Sequence, residues 1–149
     1  MAKVLHLFRA PKRRAPMEKL EHAQVLENAG LEGCAHARPN GKRQVLLVDV
    51  ETLRAMGLEP GIIRENITTE GLEVNELKIG QKLRVGAVDL VVSAVCEPCE
   101  FLEELRPGLQ EAMVGKRGML CRVSAGGVVK VGDQIRLQLV ELEVHAERD

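Results

Sequence analysis

The run Leu83–Val95, LRVGAVDLVVSAV, decides how this chain is read. Two segments rich in β-branched and apolar residues, Leu83–Val85 and Val88–Val95, flank Gly86-Ala87, and an earlier turn falls at Gly80-Gln81. Short apolar runs joined by tight glycine turns are the pattern of a hairpin meander. Moving outward, Val92–Gly118 continues as VSAVCEPCEFLEELRPGLQEAMVGKRG. The strand breaks at Pro98, delivers Cys99 and changes to helical spacing through Phe101, Leu102, Leu105, Leu109 and Met113. Pro107-Gly108 interrupts that spacing, so two short helical pieces or a kink are expected before the basic turn Lys116-Arg117-Gly118.

The flanks extend the same reading. Lys3–Phe8, Val45–Val48, Ile62–Thr69, Met119–Val123, Val128–Val131 and Ile135–Val144 read as strands. Met17–Asn28 fits either a helix, through Leu20 and Ala23, or a strand, through Gln24-Val25-Leu26. Asp49 is placed to cap a short helix Glu51–Met56 that Gly57 stops. Gly30–Gln44 is a polar, glycine-containing loop of a length more often functional than structural. Ala10–Pro16 is an exposed basic loop, and Glu147-Arg148-Asp149 a charged tail. Strands dominate and no repeat or linker appears. The expected architecture is one domain over residues 1–149, mainly β, a closed antiparallel-rich barrel with a few short helices. Closure would remove the exposed edges that so many strands otherwise leave.

Composition excludes several roles. Lys and Arg number 21 against 22 Asp and Glu, so no net field attracts nucleic acid or an anionic membrane. Trp and Tyr are absent and only Phe8 and Phe101 are aromatic, which removes the stacking platforms of nucleic-acid binders. No run approaches the length of a membrane span, and the start lacks the apolar core of a signal peptide. Four cysteines, Cys34, Cys96, Cys99 and Cys121, fit reduced thiols in a cytoplasmic protein better than a disulfide framework.

The chemistry-bearing positions each have a plainer reading beside the sharper one. Cys99 stands at a strand-to-helix switch, where helix N–H groups favour a thiolate, but Glu97, Glu100, Glu103 and Glu104 oppose ionisation. Its plainer reading is an inert core cysteine. Cys96, on the alternation of Val92 and Ala94, and Cys121 read as core. A metal site from Cys34, His36, Cys96 and Cys99 would need several separate contacts and is the minor reading. His36, near Arg38 and Arg43, either positions an anion and relays a proton or is a solvated loop residue. His6, His22 and His145 read as structural. Asn66 is unusual in a β-branched strand and either reads a ligand or caps a bulge beside Glu65. Arg64 lies on the same stretch. Arg117 beside Gly118 offers a forked cation with close backbone approach, suited to phosphate or pterin, or else forms a surface turn.

Seven pieces in order carry a resemblance: Gly30-Leu31-Glu32-Gly33 followed by His36, RQVLLVD (43–49), PGIIRENITTEGL (60–72), LKIGQKLRVGAVDL (77–90), Pro98-Cys99, KRGMLCRV (116–123) and GGVVKVGDQIRL (126–137). Together they resemble the MOSC domain, the domain named for the C-terminal part of molybdenum cofactor sulfurases, as a small standalone bacterial-type member. The resemblance implies a closed β-barrel of the pyruvate-kinase-barrel type. It implies a role in sulfur handling or molybdenum cofactor (molybdopterin) binding. It places the family's sulfur-carrying or molybdenum-ligating cysteine at Cys99, its Glu-Asn pair at Glu65 and Asn66, and its Arg-Gly at Arg117 and Gly118. Relatives usually carry Gly-Asp-x-His where this chain has Gly33-Cys34-Ala35-His36, so a thiol replaces the carboxylate.

The expected function is therefore binding of molybdenum cofactor or a related anionic ligand. Cys99 is the catalytic sulfane-sulfur (persulfide) carrier or molybdenum ligand, and Arg43, Asn66, Arg117, His36 and Arg64 hold the anion. As an enzyme the chain would be a sulfur transferase or depend on the molybdenum cofactor. The implied partners are a sulfur donor such as a cysteine desulfurase and a cofactor or metal–sulfur acceptor. The alternative is a non-catalytic ligand- or partner-binding module.

Overall fold

The computed structural model describes residues 1–138; the expected strand beyond Gln138, His145 and the charged tail lie outside them. Eleven strands and three short helices are described: β1 (Lys3–Arg9), β2 (Glu18–Leu20), β3 (His22–Leu26), β4 (Gly30–Leu31), β5 (Val45–Asp49), α1 (Val50–Met56), β6 (Ile67–Glu70), β7 (Lys82–Val85), β8 (Val88–Val95), α2 (Phe101–Leu105), α3 (Leu109–Ala112), β9 (Met119–Ala125), β10 (Gly127–Lys130) and β11 (Ile135–Gln138). The ambiguous segment before Asn28 resolves as strand. Pro107-Gly108 separates α2 from α3 as the spacing required. Asp49 caps α1, its Oδ2 accepting from Thr52 N at 3.0 Å and Thr52 Oγ1 at 2.8 Å.

Eight strands form one sheet in the order β11-β7-β8-β9-β5-β6-β1-β2, and β10-β3-β4 form a second. The expected hairpin is present, with Val85 opposite Val88 and Leu83 opposite Leu90. The expected closed barrel is not: both sheets are open among the described residues. Among the described residues the start of β1, next to the edge strand β2, meets the segment leading into β11 at a corner, where Lys3 bridges Gln134, Val4 N–H donates to Asp133 O at 2.8 Å, and Gly132 and Ile135 N–H donate to Val4 O and Ala2 O. Beyond that corner β1 is already paired with β2 through Leu7, Phe8 and Arg9, so no continuous ladder to β11 can form. The sheet is also mixed, because β5 and β6 run parallel, Leu47 opposite Ile67 and Asp49 opposite Thr69. A parallel pair needs a crossover, and α1 lies within it. The expected strand Ile62–Thr69 begins only at Ile67, because Gly61–Arg64 turns; Arg64 there has φ of 67°.

Apolar residues segregate to two faces. One cluster fills the concave side between the sheets, with Leu7, Val25, Leu47, Leu90, Val92, Cys121 and Val129. The other lies on the outer face under the helices, with Leu46, Val48, Leu53, Ile63, Cys96, Leu102, Leu109, Met113 and Leu120. A β-bulge links them. Val92 pairs with Cys121 and Ala94 with Leu120, so Ser93 is the extra residue of β8. The bulge shifts the alternation by one, and a one-residue shift exchanges faces. Val88, Leu90 and Val92 therefore point inward while Cys96 is delivered to the outer cluster. Cys96 is core as expected, but in the other layer. Ser93 Oγ holds the bulge, its one hydrogen shared between the carbonyl oxygens of Lys42 and Leu120.

Gly118 is where β9 starts. Its φ is 106°, and a Cβ there would stand 2.3 Å from Leu47 O. At Gly115 φ is 77° but nothing lies within 4 Å. Gly118→Ala is expected to lower the unfolding free energy read by urea titration by about 3 kcal/mol or more, against about 1 kcal/mol for Gly115→Ala. Equal losses would show that the close approach to β5 is not a real constraint.

Candidate functional site

The outer face at the β8–β9 end carries the first candidate group. After the bulge, Cys96 N–H donates to Gly118 O at 3.1 Å, which ties the end of β8 to the start of β9. The turn that follows presents Cys99, exposed, just ahead of α2. Arg117, only 6% exposed, extends beneath this layer and donates from Nη2 to Ile63 O at 2.8 Å. Its Nε and Nη1 have no partner among the described residues.

That is a costly arrangement, because a buried donor without an acceptor forfeits about 1–3 kcal/mol, more when charged. Glu65 Oε1 and the oxygens Thr69 Oγ1 and Asp49 Oδ1 are likewise buried without partners. Asp49 and Thr69 face each other across the parallel β5–β6 pair. The unmatched polar atoms thus belong to the last residue of β5, to β6 and the turn before it, and to the start of β9.

Electrostatics tie the group together. Burial pushes the Glu65 carboxyl up, against hydrogen bonds from Gly61 N–H, the backbone of Glu65 and Thr68 Oγ1, and against the nearby Arg117 charge. Burial also pushes the Cys96 thiol up; Arg117 and Arg43 pull it down, while Cys99 and Glu97 push it further up. Cys99, Arg43 and Arg117 are thus each near enough to Cys96 to act on its thiol. Arg43 itself is exposed.

Asn66, Cys34 and His36 form a second group on the other side of that stretch. Asn66 is fully buried. Its Oδ1 accepts from Leu46 N at 3.0 Å, and its Nδ2 donates to Phe8 O at 3.2 Å and Cys34 Sγ at 3.4 Å. Both amide hydrogens are thus engaged inside the protein. Cys34 Sγ also accepts from Ala10 N–H at 3.4 Å. Burial works to raise this thiol, but hydrogen bonds from the His36 side chain, Ala10 N–H and His36 N–H, with the His36 charge, bring it down to about 7. Arg64 is spent elsewhere, donating from Nη1 to Ala15 O at 2.6 Å. Among the described residues no set of three His, Cys, Asp or Glu side chains converges to hold a metal, so the four-residue site from Cys34, His36, Cys96 and Cys99 is not assembled.

The family model for the MOSC domain matches residues 36–136, which carry both the Arg117 group and Asn66. The chain belongs to the MOSC domain family. Solved structures share its fold. The YuaD protein from Bacillus subtilis superposes with a TM-score of 0.77 at 20% identity, over 90% of this chain and 93% of that one. YiiM from Geobacillus stearothermophilus gives 0.75 at 19%, over 93% and 76%, and YiiM from Escherichia coli 0.65 at 21%, over 91% and 70%. No curated protein sequence matches the chain. No described helix is long and apolar enough to cross a membrane.

Sequence reasoning gave no role to Cys34 beyond its departure from the family pattern and the minor metal site. The signal for a tuned thiol was two residues away, in His36, but its donors Ala10 and Asn66 are distant in sequence. Glu65 had been noted only as half of a pair, because burial of a carboxylate does not show in a β-branched run.

The thiols differ enough to be told apart in this MOSC domain. Cys121 is fully buried, and that burial raises it from 9.0 to about 12. The folded state therefore holds a proton that the unfolded chain releases above pH 9, so stability from this group is complete below pH 9 and falls towards pH 12. Each pH unit in that window is expected to cost about 1.4 kcal/mol. Urea titrations of wild type and Cys121→Ala from pH 8 to pH 11 check this: the difference between them must shrink as pH rises, and a constant difference would refute it.

Proposed function

We propose that this MOSC domain protein binds molybdenum cofactor or a related anionic ligand on the outer face, with Cys99 as sulfane-sulfur carrier or molybdenum ligand. One observation carries the reading: a buried guanidinium with two unmatched donors, Arg117 Nε and Nη1, lies in the layer that delivers an exposed thiol. Arginine offers its donors as a fork that matches phosphate oxygens. An anionic oxygen on Nε and Nη1 would remove the penalty they otherwise carry. The residues fit the group: Arg117 and Arg43 supply positive charge, and Cys99 supplies the soft sulfur that suits molybdenum. When bound, the cofactor supplies redox chemistry at its metal.

The chain's own contributions follow from the geometry. Arg117 holds and orients the anion, fixed by its bond to Ile63 O. Glu65, whose carboxyl burial pushes up against the pull of Arg117, presents Oε1 without a partner among the described residues. Arg43 adds screening of negative charge from the exposed side. Asn66 contributes by holding β5 and β1 in place rather than through free amide hydrogens. His36 lies with Cys34 on the other side of the Glu65–Asn66 stretch and Arg64 donates to Ala15 O, so neither joins Arg117 in this reading. As a carrier, the Cys99 thiolate attacks the terminal sulfur of a donor persulfide, the donor S–S bond breaks, and the donor leaves as a thiolate. A cysteine desulfurase is the donor class, a cofactor or metal–sulfur centre the acceptor, and a reducing cytoplasm the setting that keeps such thiols free.

Incubation with a cysteine desulfurase and cysteine, followed by intact-mass spectrometry, is expected to add one sulfur atom in wild type and none in Cys99→Ser. A wild type that gains no sulfur removes the carrier role. Molybdenum content after expression in a cofactor-producing host tests the binding role. Arg117→Ala is expected to retain about tenfold less metal than wild type, and Arg117→Lys an intermediate amount. If Cys99→Ser retains full ligand binding and full cellular function, the protein is a binding module without chemistry.

A further inference from the structure

The free edge of β1 carries an opening that the Arg117 group does not use. Ala2 to Val4 bond to the segment leading into β11, and β2 pairs with β1 only from Leu7 onward. Among the described residues no strand lies beside Leu5 and His6 on that edge. Backbone bonds frame the opening. Leu7 pairs with Leu20, Val131 N–H donates to Glu21 O at 3.0 Å, and Gly132 N–H donates to Val4 O at 2.8 Å. An open groove of about 780 Å³ lies here, with Leu5, Leu20 and Val131 as its apolar lining. That volume is within the range of small-molecule sites. The polar lining is cationic: His6 and Lys19 from the large sheet, His22 and Lys130 from the second, against one carboxylate, Glu21. His22 stands opposite Lys130 across the β3–β10 pair. The ion pairs among the described residues are Lys3–Glu70, Arg9–Glu18, Arg54–Glu70 and Arg84–Asp89, so neither groove lysine is matched there. His6 registers the excess. Burial, then the charges of Lys19 on β2 and Arg54 on α1, hold its imidazole below the ordinary range. Glu21, His22 and Lys130 are the other charged or titratable groups of the lining.

We propose that this groove is a second binding site, for a phosphate monoester that carries an apolar organic group. A phosphate dianion calls for more than one cation, and Lys19 and Lys130 offer one from each sheet. Lysine serves phosphate as a point charge and needs no fixed fork geometry. The apolar lining takes the organic group of the ester, which inorganic phosphate lacks. The frame is fixed by backbone bonds, so the site forms without ordering a loop. A bound dianion also relieves the repulsion at His6, because an opposite charge nearby favours the imidazolium form. A metal is not the occupant, since among the described residues no three His, Cys, Asp or Glu side chains converge, and His6, Glu21 and His22 are no exception. The groove shares no residue with the Arg117 group, and β5 and β6 separate β9 from β1. This inference therefore stands independently of any role for Cys99.

The test titrates the folded protein with phenyl phosphate and, separately, with inorganic phosphate at constant ionic strength. The imidazole ring signals in NMR spectra report the site, and calorimetry gives the affinities. Phenyl phosphate is expected to shift the His6 and His22 signals to saturation and to move the His6 titration midpoint upward. Inorganic phosphate is expected to bind about tenfold more weakly, having no group for the apolar lining. Lys19→Gln and Lys130→Gln should each weaken phenyl phosphate binding about tenfold. Both lysines are exposed, so these variants are expected to unfold at the wild-type urea midpoint. Arg117→Ala should leave the affinity unchanged, which separates this groove from anion binding near Cys99. The proposal is overturned if neither histidine shows a saturable shift up to about 10 mM phenyl phosphate. Equal affinities for the two probes, lysine variants that bind as wild type does, or loss of binding in Arg117→Ala overturn it as well.

Discussion

The side-chain amide of Asn66 is the constraint on which most of this architecture depends. It is fully buried, and it holds a backbone amide of β5, a backbone carbonyl of β1 and the sulfur of the Cys34 loop. Those three partners come from sequence positions that no local rule brings together. An aliphatic residue of the same size would leave Leu46 N and Phe8 O unpaired in the interior. The loss would be about 1–3 kcal/mol for each abandoned group. The next residue back, Glu65, faces the other group with its free Oε1. A two-residue stretch thus joins the scaffold of the Cys34 loop to the polar atoms around Arg117.

The second determinant is the extra residue in β8. Without the bulge at Ser93, the alternation of Val88, Leu90 and Val92 would carry Cys96 into the concave core and send the following turn to the wrong side. With it, the chain changes face, α2 and α3 cover the outer cluster, and Cys99 emerges at their edge. Apolar packing pins the layer through Leu102, Leu109 and Met113. The donors of Arg117 that lack partners among the described residues sit at its margin, as do buried oxygens of Glu65, Thr69 and Asp49 elsewhere in the same stretch of sheet. Stability and ligand recognition are therefore in opposition at one residue.

Much of the fold was readable from residue order alone. Alternation and glycine turns located β7, β8 and β9, Pro107-Gly108 divided the helical segment, and Asp49 announced α1. Closure of the barrel was not readable, because it depends on whether two sheet ends meet along a ladder or at a corner, which residue types do not encode. The start of β6 was also missed: ENITT has strand composition, but the left-handed turn at Arg64 delays pairing until Ile67. For the site, Arg117 and Cys99 stood out by residue type and position. The tuning of Cys34 did not, since its sulfur is conditioned by N–H groups from Ala10 and Asn66 that are distant along the chain.

The corner contact between Lys3 and Gln134 bears on how the protein is made. β1 meets this neighbour only after the long intervening stretch up to Gln134 has been made. At ordinary elongation rates the delay is roughly 7 to 26 seconds. Through that interval β1 can dock on β6 once Ile67–Glu70 have emerged, yet the amide of Val4 still lacks the carbonyl of Asp133. That corner of the sheet therefore waits on residues made long after β1.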